Sequence, residues 1–222
     1  MRAFAFVTIA LMLGGCMQDT LQVGGGTLQP ATQANWTVRD KQLMSHLPYE
    51  QATIPEEYQR HIVRYIRHDA GKVVIDTDNK FLYYVLPNGK AIRYGITVGE
   101  QGQAWSGTAE VGRMQEWPSW VPTASEQERL GRLPTYVTGG PHNPMGARAL
   151  YLYAGGKDTL YRIHGTNQPE YIGQAISSGC IRMTNEDVID LYGRVKMGTA
   201  VVVLPPTQFW PFSAHPVVGS AS

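Results

Sequence analysis

Two side chains in one short run have the types and spacing for covalent chemistry. The stretch Tyr161–Met183 reads YRIHGTNQPEYIGQAISSGCIRM, with His164 near its start and Cys180 near its end. A cysteine is a strong nucleophile as thiolate, and an imidazole beside it can take its proton and later return it to a leaving group. Gly179 leaves room for backbone N–H groups to approach a reacting carbonyl, and the amides of Gly179 and Cys180 are the expected oxyanion donors. A carbonyl near Gly165 or Ser178 is expected to fix the His164 tautomer, because the run offers no carboxylate close by. Arg182 either binds a substrate carboxylate or lowers the thiol pKa; a structural ion pair is the plain alternative. Glycine, serine and arginine crowd Cys180, where a core cysteine would have apolar neighbours. His164 and Cys180 lack the clustered spacing of a zinc site, so neither metal nor cofactor is expected.

The chain holds 222 residues and two cysteines, Cys16 and Cys180. Arg2 and the apolar run Ala3–Leu13 have the form of a signal peptide, too short to span a bilayer as a helix. The run ends Leu13-Gly14-Gly15-Cys16, which resembles a lipobox, so residues 1–15 are expected to be removed and Cys16 lipidated. An ordinary signal peptide cut near Gly14-Gly15 is the alternative. Met17 follows Cys16 where an aspartate would signal inner-membrane retention, which points to the outer membrane. With Cys16 acylated, Cys180 has no disulfide partner in an oxidising compartment, and its presence is best explained by chemistry. A net charge of +1 gives no reason to expect a nucleic-acid partner.

The elements that must position the pair read as mainly β. Lys72–Asp76, Lys80–Val85 and Ala91–Gly99 are strand-like, separated by the turns Asp78-Asn79 and Pro87-Asn88-Gly89-Lys90. Thr108–Met114, Ala147–Tyr153, Thr159–Ile163 and Thr199–Leu204 continue the pattern, and repeated hairpins of this kind predict an antiparallel β-sandwich. Residues 16–53 read as a flexible tether. Over 54–70, Pro55 and the spacing of Tyr58, Ile62, Tyr65 and Ile66 predict a bracing helix, with Arg60, Arg64 and Arg67 solvated and His61 and His68 at the edge of that face. Thr184 is the expected N-cap of a short amphipathic helix after the cysteine. The segment Glu116–Thr123 is either a rigid packed corner or, through Trp117 and Trp120, a wall of a substrate groove. Ala124–Thr138 reads as a polar excursion with a short helix at Ser125–Leu130, suited to gating a site. Residues 205–222 form a tail.

The run H-G-T-N followed by S-S-G-C-I-R-M resembles the active-site signature of the L,D-transpeptidase catalytic domain, the YkuD-like fold. The likeness extends through Gly140–Leu150 and the Val73–Tyr84 segment, and implies a catalytic domain over 71–204. Many members carry histidine directly before the Gly-Cys pair, where this chain has Ser178. The resemblance implies that the loop Gly139–Gly146, with Asn143 as a substrate contact, borders the site; no catalytic part is expected for His142. It implies peptidoglycan tetrapeptide stems as donors, cleaved between the L-centre of a diamino acid and D-Ala through a thioester on Cys180. The acceptor is then a neighbouring stem, giving a 3–3 cross-link, or an envelope protein; with water it is a carboxypeptidase. Acylation of Cys180 by carbapenems is implied too. Two further readings are an envelope thiol peptidase and a catalytically idle wall-binding lipoprotein.

Overall fold

The computed structural model describes residues 26–29, 33–49, 52–99, 105–176 and 180–206. Among the described residues ten strands form one hydrogen-bonded sheet: β1 (Thr27–Leu28), β2 (His61–Arg64), β3 (Val73–Asp76), β4 (Phe81–Leu86), β5 (Lys90–Gly95), β6 (Gly107–Glu116), β7 (Arg148–Ala154), β8 (Lys157–His164), β9 (Ile181–Arg182) and β10 (Ala200–Val203). Their order is β1-β2-β5-β4-β3-β10-β6-β7-β8-β9. Neighbours run antiparallel except β10 against β3 and β9 against β8. The mainly β expectation holds, and the sheet achieves by curling what a sandwich achieves with two layers. Beyond β5, Thr97 and Arg182 exchange both backbone hydrogen bonds at 2.9 Å, so β9 meets the continuation of β5. Between the two halves lies an apolar core that includes Ile75, Leu82, Ile92, Leu150, Leu152, Ile163 and Ile181.

Local chemistry explains the helices. Helix α1 (Val38–Met44) starts at Thr37, whose hydroxyl accepts from Asp40 N while Asp40 takes the Thr37 amide at 2.8 Å. Such a reciprocal box satisfies donors a helix start leaves open. Helix α2 (Ala124–Leu130) begins on the same device, Thr123 with Glu126, one residue before the expected start. Helix α3 (Asn185–Tyr192) has Thr184 as its N-cap and buries Val188, Ile189 and Leu191.

Two N-terminal expectations are corrected. The tether at 16–53 contains α1, which docks through Met44 and half-buried Leu43, with half-buried Trp36 just ahead of it. The bracing helix over 54–70 does not form. Glu56–Tyr58 make a single 3-10 turn, and His61–Arg64 extend as β2 against β5 in the register Ile62↔Ile92. The cause is a tertiary demand that local spacing does not show. Arg60, expected in solvent, is buried, ion-paired to Asp190 at 2.9 Å and 3.2 Å from the Asp187 carboxyl, both on α3. His61 is buried too, its Nδ1 bonded to the Gln59 carbonyl at 2.8 Å.

Candidate active site

The strand pair β8/β9 sets His164 and Cys180 on neighbouring chains. Its parallel register is Ile163↔Ile181 and His164↔Arg182. Side chains alternate along strands, so Ile163 and Ile181 point into the core, both almost wholly buried. The opposite face then carries Arg162, His164, Cys180 and Arg182. By this register Cys180 falls diagonally across from His164, two places from its direct partner Arg182.

The tautomer of His164 follows from its partner. Nδ1 lies 2.6 Å from the Gly165 carbonyl, which can only accept, so Nδ1 carries the proton and Nε2 presents a lone pair. The ring is 3% exposed. Burial, joined by the charges of Arg182 and Arg162, holds its pKa down to about 3 against the opposing pull of the Gly165 and Met145 carbonyls. At neutral pH it is a neutral base. Burial also pushes the half-buried Cys180 thiol up; Arg182 and Arg162 lower it, and Glu126 of α2 raises it. The resting groups are therefore thiol and imidazole, a state from which a thiolate forms only if the thiol gives up its proton.

Backbone contacts fix this corner. Gly165 N–H donates to the Arg148 carbonyl at 3.0 Å, and Met183 N–H to the His164 carbonyl at 2.9 Å. The chain between histidine and cysteine is tied to the end of β5, through Gly173 N–H to the Ile96 carbonyl at 3.0 Å and Ile176 N–H to the Val98 carbonyl at 3.0 Å.

The expected site residues sort unevenly. Gly165 puts its carbonyl on His164 Nδ1, and the charge of Arg182 acts on both His164 and Cys180. Ser178, Gly179 and the lipidation candidate Cys16 lie outside the described residues. Asn143 is a correction. It is buried with its amide spent inside the loop, donating to the Val137 and Thr138 carbonyls at 3.1 and 3.0 Å and accepting from Met145 N at 2.8 Å. It shapes the loop that brings Met145 to His164 and has no group left for a substrate. Trp117 is corrected likewise: it is 3% exposed, and its Nε1–H donates to Asp40 at 2.8 Å. Trp120 stays half-buried, and its backbone pairs with Val137, closing the excursion that carries α2.

Three neighbours escaped the sequence reading. Trp105 stacks on Tyr161 at 5.0 Å, and Tyr161, its pKa raised first by burial, also feels the charge of Cys180. Asn185 anchors the backbone on both sides of the histidine loop. A tryptophan in the Gly/Gln-rich stretch before β6 was a visible signal for the first; the other two had none.

A cysteine next to the short strand that pairs with the strand of a neutral, tautomer-fixed histidine is an arrangement that can support cysteine acyl transfer. The chain belongs to the L,D-transpeptidase catalytic domain family YkuD, whose model matches residues 70–203. Probable L,D-transpeptidase ErfK/SrfK of Escherichia coli strain K12 is 36% identical over 141 residues, covering 60% of this chain and 43% of that protein. Probable L,D-transpeptidase YbiS of the same strain is 37% identical over 139 residues, with 59% and 43% covered. The chain thus spans less than half the length of these relatives. A solved structure described as a probable carnitine operon oxidoreductase from Brucella melitensis is 48% identical, covering 68% of this chain and 96% of that one, with a TM-score of 0.47.

Proposed function

We propose that the protein is a peptidoglycan L,D-transpeptidase working through a thioester on Cys180. The observation that supports this is the β8/β9 register, in which the strand of a neutral His164 with Nδ1 bonded to a carbonyl pairs with the segment after Cys180, within a chain of the L,D-transpeptidase family. His164 Nε2 takes the thiol proton as Sγ attacks the carbonyl at the L-centre of the stem's third residue. The bond to D-Ala breaks, the leaving amine receives the proton from the imidazolium, and a thioester remains. An acceptor amine then attacks, gives its proton to Nε2, and restores the thiol. Arg182 would meet a stem carboxylate, and its charge, which lowers the Cys180 pKa, would favour thiolate as the proton leaves. The amides of Gly179 and Cys180 are the oxyanion donors of this reading.

A second stem as acceptor gives a 3–3 cross-link; an envelope protein gives a tether. Helix α2, whose Glu126 exerts its charge on Cys180, supports the excursion as the element that controls entry. Carbapenems would acylate Cys180. The Arg2, Ala3–Leu13 and Gly14-Gly15-Cys16 pattern supports a lipid-anchored periplasmic protein, held at the outer membrane given Met17.

The test is incubation of the full chain with purified disaccharide-tetrapeptides, followed by mass spectrometry. Cross-linked dimers that vanish in Cys180→Ala are expected. Tripeptide and free D-Ala without dimers would make it a carboxypeptidase, and an unchanged substrate would overturn the reading. For the anchor, labelled palmitate is expected on the wild type and not on Cys16→Ser; equal labelling of both would refute it.

A further inference from the structure

The residues that hold the histidine's carbonyl partner reach it partly from outside the family segment. Asn185, the first residue of α3, is 2% exposed. Its Oδ1 accepts from Ala147 N at 2.8 Å; its Nδ2 donates to the Thr166 carbonyl at 3.0 Å and to Tyr49 Oη at 2.8 Å. The orientation of the amide is forced, since a backbone N–H must meet oxygen and a carbonyl must meet nitrogen. The fit is close. A Cβ on Gly165 would stand 2.2 Å from Asn185 Oδ1, and one on Gly146, where φ is +61°, would stand 2.3 Å from it. Asn185 is a wedge between the chain entering β7 and the chain leaving β8, and both must be glycine where it passes.

This matters because the base depends on one peptide plane. The Gly165 carbonyl receives the His164 Nδ1 proton. Glycine turns that plane at little cost unless its surroundings prevent it. On one side the Gly165 N–H is held by the Arg148 carbonyl, and the Arg148 guanidinium grips Asp40 of α1 at 2.8 and 2.6 Å. On the other side the Thr166 carbonyl is held by Asn185, and Asn185 by Tyr49. Asp40 and Tyr49 both precede residue 70, where the family match begins.

We propose that Asn185 is a positioning residue for His164, and that the segment 33–49 acts through Tyr49 and Asp40 as a strap that keeps Nδ1 protonated and leaves Nε2 as the basic nitrogen. The proposal rests on the proposed function for the use His164 makes of Nε2, but not for the geometry.

The experiment uses the full chain with ¹⁵N-labelled histidine and the variants Tyr49→Phe and Asn185→Ala. Nitrogen shifts report the His164 tautomer without substrate, and stem turnover and a thermal melt are measured beside them. In the wild type a single Nδ1–H form is expected. Asn185→Ala is expected to mix the two tautomers and to lower kcat roughly ten- to a hundredfold, the scale of an ångström's misplacement, with KM changed less than about twofold. Tyr49→Phe keeps the ring and loses one acceptor, so a smaller loss of the same kind is expected from a protein that melts like wild type. A pure Nδ1–H signal in folded Tyr49→Phe and Asn185→Ala would overturn the proposal, as would rate losses that only track the unfolded fraction. Should Asn185→Ala fail to fold, Tyr49→Phe decides alone. If the wild type turns over no stem peptide, the functional reading fails while the nitrogen shifts still decide this one.

Discussion

Arg148 and Asp40, 108 positions apart in sequence, form a two-pronged ion pair in the interior, at 2.8 and 2.6 Å. Trp117 completes it with a third hydrogen bond to the same carboxylate at 2.8 Å. The pair fastens α1 to the first residue of β7, and the carbonyl of that residue holds the peptide after His164.

Removing one partner of a buried pair leaves the other charge without compensation, which costs about 3–5 kcal/mol. Asp40→Ala is therefore expected to lower unfolding free energy by about that amount in urea titrations. The pH signature is also fixed. Burial pushes the Asp40 carboxyl upward, but the bonds from Arg148, Thr37 and Trp117 outweigh it and hold it at about 2. Its stabilisation is thus present above the ordinary carboxylate range and lost as pH falls from about 4 toward 2. Asp40→Ala should lack that loss; an identical acid limb in both proteins would refute the assignment.

Asp187 runs the other way. Burial raises its pKa to about 7, against the charge of Arg60 and with that of Glu186 and Asp190. A carboxyl that prefers its proton when folded stabilises fully below about 4, and the contribution is lost as pH rises to about 7. His164, lowered to about 3, has the opposite slope, gaining stability between about 3 and 6.5. The two slopes offset each other in the wild type. Asp187→Asn removes one, so its stability should rise more steeply than wild type between pH 4.5 and 7, read by urea unfolding at three pH values. Parallel curves would show that Asp187 does not titrate in that window.

What the sequence made legible was chemistry carried by neighbouring residues. His164 and Cys180 stand out because their run is polar where a core would be apolar, and Thr184 announces α3 just ahead of its apolar stripe. The misreadings share one cause: partners distant in sequence. Arg60 looks solvated until Asp187 and Asp190 arrive on α3 to bury it. Trp117 looks like a groove wall until Asp40, 77 positions earlier, claims its N–H. The capping pair Thr37 and Asp40 was readable in principle, yet its surroundings lack the apolar stripe that a helix reading requires, because α1 buries little beyond Asp40 and Met44.

The charges around Cys180 give a last prediction with two signs. Burial raises the thiol, Arg182 lowers it and Glu126 raises it. A thiol without a preformed ion pair reacts in proportion to its thiolate fraction, so iodoacetamide alkylation should be slow at pH 6 and climb through the alkaline range. Replacing Arg182 with alanine removes a favourable charge and should move that rise to higher pH, by about one unit if the charge lies within 4–6 Å. Replacing Glu126 with glutamine keeps the helix cap, since glutamine serves in a capping box, and should move the rise to lower pH. Alkylation rates from pH 5 to 10, with modification of Cys180 verified by mass spectrometry, decide both. A high plateau already at pH 6 would mean that thiolate and imidazolium coexist at rest, and the neutral-pair mechanism would have to be abandoned.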